Sequence, residues 1–426
     1  MAHHLRAAIA HVKARALARC SSLPVDVDQL ARQAGHAWRD RKLTPAVTVG
    51  LFILQILHGN VAITALNHLG AITMQASSYC AARMRLPMQV FTQLFDAVSQ
   101  AAEPARRASA VGLLNGRRVL LGDATTFSTP DTPALREHFG HPPGQRDGCG
   151  FPVGKLLGVI DAVTGAILVA MGCPLFAHEA REMLTLHPLL RRGDVLVADR
   201  GFCSYVQIAM LMRHGVDVVM RLHQRRPAEA WADHQQTWTR PLVRPEWMSE
   251  SIWTALPAEL TVRIVRYAVN RKGCRTRNVY VATTLLDWKA YPKETISRLY
   301  GHRWNIETCF NQLKTHAKMN TLRCQTIEGV IKELLVYLIV WNLVRLTMAR
   351  FAEQAKISPW RISFLDTLRC LAVMMQAPAR PEVKLLINPD RPDRWEPRML
   401  KRRMKEYDLL TESRQRLKAK HKARYA

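Results

Sequence analysis

Acidic residues are scarce in this sequence. Only 34 Asp and Glu stand against 61 Lys and Arg, a formal net charge of +27 over 426 residues. A fold does not require that excess, which points to a polyanionic partner: nucleic acid first, an anionic membrane second. Long apolar runs are lacking too. The longest, "LLVYLIVWNLV" at 334–344, is broken by Asn342 and flanked by Lys332, Glu333 and Arg345. It is too short to span a bilayer, so it predicts a buried core helix and no membrane partner. The first twenty residues, "MAHHLRAAIAHVKARALARC", carry charges throughout, so no secretory signal is expected. The nine cysteines are scattered and form no C-x-x-C pair, which excludes a disulfide framework or zinc finger and suits a reducing cytosol. There is no H-E-x-x-H, and "AHEARE" (177–182) lacks a second zinc ligand. "GKLLG" lacks the spacing of a phosphate-binding loop, and no G-x-S-x-G occurs. Internal repeats and long low-complexity tracts are absent as well.

Hydrophobic residues make up 48% of the chain, enough for globular structure. Residues 1–105 space their apolar side chains at three and four, as in "PMQVFTQLFDAVSQAA", and predict a helical N-terminal domain. "AEPARRAS" (102–109) reads as a linker. From 117 the pattern changes. "RRVLLGDATTF", "GKLLGVIDAV", "AILVAMGCP", "DVLVADRGF" and "VDVVMRLH" read as strands. "EAREMLTLHPLLRR", with Pro188 inside it, and "SYVQIAMLMRHG" read as helices. That order predicts an α/β core over 106–352, a mixed sheet flanked by helices. A β-rich insertion is expected at about 224–285, and helices at 326–352 and 359–377. The region 353–426 is helical and basic; its last part, 398–426, holds eleven Lys and Arg against three acids and is either a helix or a solvated tail.

The chemistry centres on three carboxylates. Asp123 follows the apolar "VLLG" and Asp199 the apolar "VLVA", at strand ends where α/β sheets collect their sites. Each alone is compatible with a turn or a helix cap. Glu307 lies in "YGHRWNIETCFNQLK" (300–314), read as one helix. Plotted at about 100° per residue, Tyr300, Arg303, Glu307, Asn311 and Lys314 share one narrow face. By itself that face is compatible with solvated charge pairs worth a few tenths of a kcal/mol. Taken together, three converging carboxylates can hold two divalent cations about 4 Å apart, which clamp the attacking and leaving oxygens of a phosphoryl displacement. Mg²⁺, which prefers oxygen ligands, suits that role. Arg303 and Lys314 would then attract and position a phosphate backbone. His178, His187 and His302 read as surface or core polar residues.

Tyr300, Arg303, Glu307 and Lys314 keep the spacing Y-(2)-R-(3)-E-(6)-K, and "LGDATTF" and "VADRGF" precede them in order. On these motifs, residues 117–350 resemble the IS4-like family of DDE transposases of bacterial insertion sequences. The resemblance implies an RNase H-like core with the β-rich insertion ahead of the glutamate helix. It implies that Asp123, Asp199 and Glu307 are the catalytic, metal-ligating triad for two Mg²⁺ or Mn²⁺ ions. Water and then a 3′-hydroxyl would attack phosphodiesters at the ends of the element. Tyr300, Arg303 and Lys314 would contact double-stranded DNA, with the protein a homodimer on it and cytoplasmic in a bacterium. Ala124 departs from the glycine that often follows the first aspartate, a change expected to be tolerated because the carboxylate carries the chemistry. Trp253 and Trp288 are candidates for stacking on a flipped base, and buried core tryptophans are the competing reading. Two other functions fit the same residues: a stand-alone RNase H-like nuclease, and a non-catalytic DNA-binding derivative. Residues 1–105 are expected to recognise the element's ends or to serve as a scaffold, and 398–426 to add non-specific DNA affinity.

Overall fold

The computed structural model describes residues 23–39, 41–70, 72–109, 113–114, 116–142, 150–268, 278–376, 384–389 and 414–423. Helices come first. The Asp26 carboxylate accepts from the amides of Asp28 and Gln29 and caps α1 (Val27–Gln33). Thr44, followed by Pro45 in the first turn, opens the fully buried α2 (Pro45–Leu57). Next come α3 (Ala76–Arg85), α4 (Met88–Gln100) and α5 (Glu103–Ser109). The last of these replaces the linker expected at 102–109. Glu103 sits one turn from Arg106 and Arg107, at 2.7 and 3.5 Å, and these pairs favour a helix over an extended connection.

The core then follows as β1 (Val119–Ser128), α6 (Pro133–Phe139), β2 (Val153–Asp161), β3 (Ile167–Pro174), α7 (Glu179–Met183), β4 (Val195–Ala198), α8 (Tyr205–Arg213) and β5 (Asp217–Arg221). The helix expected over 179–192 tightens into a 3-10 stretch at Leu184–Leu189, where Pro188 supplies no amide. The insertion contributes β6 (Gln235–Thr239), α9 (Glu250–Thr254), β7 (Glu259–Ala268) and β8 (Asn278–Thr283); its residues 269–277 lie outside the described ones. Then come α10 (Lys293–Gly301), α11 (Trp304–Thr315), α12 (Ile327–Gln354) and α13 (Phe364–Gln376). A separate unit holds α14 (Arg414–Ala423), with five Lys and Arg in ten residues; the rest of the basic segment and the first 22 residues lie outside the described ones.

Among the described residues, eight strands form one sheet in the order β3-β2-β1-β4-β5-β8-β7-β6. β1, β4 and β5 run parallel, and β2 runs against both β1 and β3. That order and polarity are RNase H-like. The insertion extends the same sheet, because β8 pairs antiparallel with β5. One face is covered by α7 and α8 over Leu120, Val159, Leu196 and Val218. On the other face α10 lies on β4 and β5, α11 on β1, and α12 on β3.

The N-terminal helices α2 to α5 pack on α12, the buried core helix that the apolar run predicted. No described helix is long and apolar enough to cross a membrane. Asn342, the interruption in that run, is fully buried. Its Oδ1 accepts from the Ile167 amide at 2.8 Å, and its Nδ2 donates to the Ile167 carbonyl and to Ser99 Oγ, both at 2.8 Å. One side chain thus pins edge strand β3 to α4 and α12. Asn342→Leu is expected to cost about 3 kcal/mol, because it leaves buried backbone groups unpaired. Urea unfolding checks this; an unchanged midpoint would show that the three bonds are dispensable.

Candidate active site

The length of β4 creates the site. β4 pairs with β1 only over Val195–Ala198 and Val119–Gly122, and then it ends. β1 runs on to Ser128 beside β2, with an isolated bridge from Ser128 to Thr321 at its far end. Asp123 is therefore mid-strand rather than at a strand end, and it is the first β1 residue past the β4 ladder. Asp199 is the first residue past β4, level with it one step beyond the Gly122–Ala198 pair. Adjacent strands lie roughly 5 Å apart, which sets the two aspartates side by side at the mouth of an open crevice. Asp199 Oδ1 accepts from the Arg200 amide at 2.6 Å, and Asp123 Oδ1 from the Ala124 amide at 2.8 Å.

The stretch expected to be a single helix is two. α10 ends at Gly301 and α11 begins at Trp304. Between them His302 and Arg303 keep right-handed helical dihedrals, but the bonds tighten to i→i−3. The Arg303 amide donates to Tyr300, Asn305 to His302 and Ile306 to Arg303, at 3.1, 2.9 and 3.2 Å. The overwound turn breaks the shared polar face. Tyr300 is buried, Glu307 stays open on the first turn of α11, and Arg303 points inward.

Arg303 joins the carboxylates. Its Nη2 donates to Glu307 Oε1 at 2.6 Å and its Nη1 to Asp123 Oδ2 at 3.5 Å. Its side chain is 7% exposed, and Nε is buried without a hydrogen bond. Burial opposes the Arg303 charge, but Tyr300, Glu307 and Asp199 together raise its pKa above the ordinary value. Asp123 is pushed up to about 6, first by burial and also by Glu307 and Asp199, against the Ala124 amide and Arg303. Tyr300 is pushed up to about 12, chiefly by burial. Among the described residues, no three Asp, Glu, His or Cys side chains are gathered tightly enough to hold a metal ion as they stand. The reason is electrostatic: like charges separate, and a guanidinium sits between two of them. All three carboxylates are oxygen donors, and that guanidinium is a stand-in cation, so the chemistry of the set fits a hard divalent ion.

Lys314 lies farther along α11. Its Nζ donates to Thr126 Oγ1 of β1 at 3.3 Å, and burial lowers its pKa. Of the two tryptophans, Trp253 is buried, while Trp288 is 42% exposed with the Arg263 guanidinium 3.8 Å from its ring centre. Two neighbours escaped the sequence reading. Thr126 carried no motif signal. Trp304 stands 54% exposed against the Arg303 guanidinium, 4.6 Å from ring centre to Cζ; it lies inside the quoted stretch, where the pattern of charges carries no signal for an indole.

A second basic feature lies among the N-terminal helices. An open cleft of about 1190 Å³ is lined by His36, Trp38, Arg39, Arg41, Lys42 and Arg85, among others. His36 is held below its ordinary pKa, first by burial and then by Arg85 and Lys332, as expected in a cationic cleft.

The family model described as "Transposase DDE domain" matches residues 114–343, a span that contains Asp123, Asp199 and Glu307. The transposase InsG for insertion sequence element IS4, from Escherichia coli strain K12, is 32% identical over 172 residues. That match takes in 36% of this chain and spans 38% of the relative's length. A cryo-EM structure of piggyBac transposase in a synaptic complex with hairpin DNA aligns over 86% of this chain and 79% of that one, at 10% identity and a TM-score of 0.44.

The raised Asp123 pKa makes a signed prediction. A carboxylate whose pKa rises on folding favours the native state below its unfolded value, near 3.8, and loses that contribution as pH climbs through about 6. Asp123→Asn removes the charge and is expected to stabilise the protein at about pH 8 by on the order of 2 kcal/mol, with the gain fading towards pH ~4. Melting temperatures at both pH values check it. The absence of a gain at the higher pH would mean that Arg303 already compensates the burial.

Proposed function

The chain belongs to the transposase DDE domain family, and from that premise we propose that it is a DNA transposase that cleaves and joins DNA at the ends of an insertion sequence. The observation that carries the proposal is the placement of Asp123 and Asp199 side by side where β4 stops, under a Glu307 tied to Asp123 through Arg303. In this reading Asp123, Asp199 and Glu307 hold two divalent cations, Mg²⁺ or Mn²⁺. Bound there, the cations supply Lewis acidity at the attacking and leaving oxygens of a phosphodiester. The protein's own groups do the rest. Asp123 and Asp199 fix their ligand oxygens from neighbouring strands of a rigid sheet. Arg303 balances the carboxylates' charge, and its fork geometry also suits a phosphate. Lys314, at the rim, reaches the DNA backbone as a mobile point charge, and Tyr300 supports Arg303 from beneath. The protein works on double-stranded DNA as a homodimer, with residues 1–105 recognising the ends and 398–426 adding non-specific affinity.

Glu307→Gln keeps the side chain's shape and removes its charge. It is expected to bind an end fragment taken from the DNA flanking the gene as the parent does, and to lose cleavage by on the order of a thousandfold or more. Lys314→Ala should instead weaken binding across all sequences and lower the salt slope by about one. Gel-shift affinity and cleavage of the same fragment separate the two. Wild-type cleavage by Glu307→Gln in Mg²⁺ would sink the two-cation reading. Joining of a pre-cut 3′ end to a second duplex separates a transposase from a nuclease that only hydrolyses.

The N-terminal cleft makes an independent prediction. If Arg41, Lys42 and Arg85 each neutralise a phosphate, replacing all three with Ala lowers the slope of log affinity against log salt by about three. Affinity measured from low to moderate salt decides; an unchanged slope would remove the cleft from the DNA path.

A further inference from the structure

Gly158 on β2 faces Asp123 across the β1–β2 ladder. Directly opposed residues in an antiparallel pair present their side chains on the same face of the sheet. That face is the one α11 covers, since Asp123 meets Arg303 there. A Cβ placed on Gly158 would lie 3.2 Å from Cζ and 3.5 Å from Cε1 of Phe310. Phe310 is buried and comes three residues after Glu307, on the adjoining turn of α11. The ring edge therefore rests on bare backbone beside Asp123.

The backbone of Gly158 does not itself call for glycine. It lies in the β2 ladder and has no positive φ. Space is what a side chain would lack, which is the usual meaning of a glycine inside a strand. On the same face of β2, the next positions in either direction are filled by Leu156 and Ile160, both buried. Between those two side chains the gap falls where the Phe310 ring needs it. Ile306 and Leu313 flank Phe310 on α11 and are fully buried, so the helix cannot roll to avoid a push at that point.

We propose that Gly158 and Phe310 are positioning residues: their contact sets the height of α11 above the sheet, and so the reach of the Glu307 carboxylate towards Asp123. The proposal rests on the reading of Asp123, Asp199 and Glu307 as a site for divalent cations. Gly158→Val thrusts methyl groups into the ring and lifts α11. Phe310→Leu removes the ring edge and makes room for them.

The test is Mn²⁺ titration of the full chain without DNA, with free Mn²⁺ read by electron paramagnetic resonance and melting followed in parallel. Parent, Asp123→Asn, Gly158→Val, Phe310→Leu and the Gly158→Val/Phe310→Leu double variant are compared. Gly158→Val is expected to weaken Mn²⁺ binding by roughly 10–100-fold, the scale of lost support behind a metal ligand, while still melting cooperatively. The double variant should recover most of that loss, a rescue that general destabilisation does not produce. Parental affinity in Gly158→Val, or a double variant as weak as the valine variant, overturns the proposal. Should the valine variant fail to fold, Gly158→Ala takes its place, with a smaller loss again reversed by Phe310→Leu; an unchanged affinity there overturns it equally. A parent that binds no Mn²⁺, or Asp123→Asn that binds it as tightly as the parent, overturns the cation site itself and the wedge with it. A parent that binds and an Asp123→Asn that does not, with Gly158→Val unaffected, removes the wedge alone.

Discussion

The bridge from Arg303 to Asp123 and Glu307 is the interaction on which the site depends. Carboxylates brought near one another repel, and burial further raises the cost of charging Asp123. A fixed cation makes the arrangement tolerable. The fold supplies it by an unusual route. Arg303 lies in the tightened turn between α10 and α11, so its side chain is driven inward against the sheet instead of along the solvent face of a continuous helix. The exposed indole of Trp304 closes over the guanidinium from outside, and Tyr300 lies beneath it. Those contacts hold the positive charge in place where water alone would leave it mobile.

The acidic residues as candidates, and the succession of strands and helices along the chain, were legible because both are written locally. "VLLGD" and "VLVAD" show an apolar strand meeting a carboxylate, and the spacing from Tyr300 to Lys314 needs no knowledge of the fold. What stayed hidden depends on partners distant in sequence. Nothing near Asp123 shows that β4 stops four residues in and leaves β1 to continue, which turns an apparent strand end into the middle of one. The tightened turn at His302 and Arg303 contains no proline, and Gly301 within it, at an ordinary helical φ, does not by itself announce a break. The helix at 103–109 was masked by a proline at its second position, a place where helices accept proline readily. Asn342 read as a blemish in an apolar run; only packing against Ile167 and Ser99 shows why a polar atom belongs there.

The same division between local and distant information governs the positive charge. Composition revealed an excess of +27 without placing it. Folding splits the cations by work. Arg83, Arg345 and Lys332 are drawn into the interior of the helical layer, where they meet backbone carbonyls, a thiol or aromatic faces. Those charges hold α3 and the β2–β3 turn against α12 and have no part in meeting a partner. Of those left facing outward, Arg39, Arg41, Lys42 and Arg85 gather around the N-terminal cleft, and Arg416 and Lys420 are exposed on α14.

Arg303 and Lys314 show why one motif contains two kinds of cation. A guanidinium offers a rigid planar fork, so it can hold two carboxylates apart at fixed distances while buried. An ammonium on a flexible stem does that poorly, and burial already works against its charge at Lys314. About three turns farther along the chain, Lys314 leans on Thr126 of β1 instead of on a carboxylate. A buried fork and a half-buried ammonium thus stand at the two ends of one stretch, Arg303 just before α11 and Lys314 in its last turn, and between them the ring of Phe310 meets the bare backbone of Gly158. In the proposed reading the first holds the carboxylates apart and the second meets a long, deformable polymer, and the eleven-residue step from Arg303 to Lys314 keeps the two tasks from competing for one side chain.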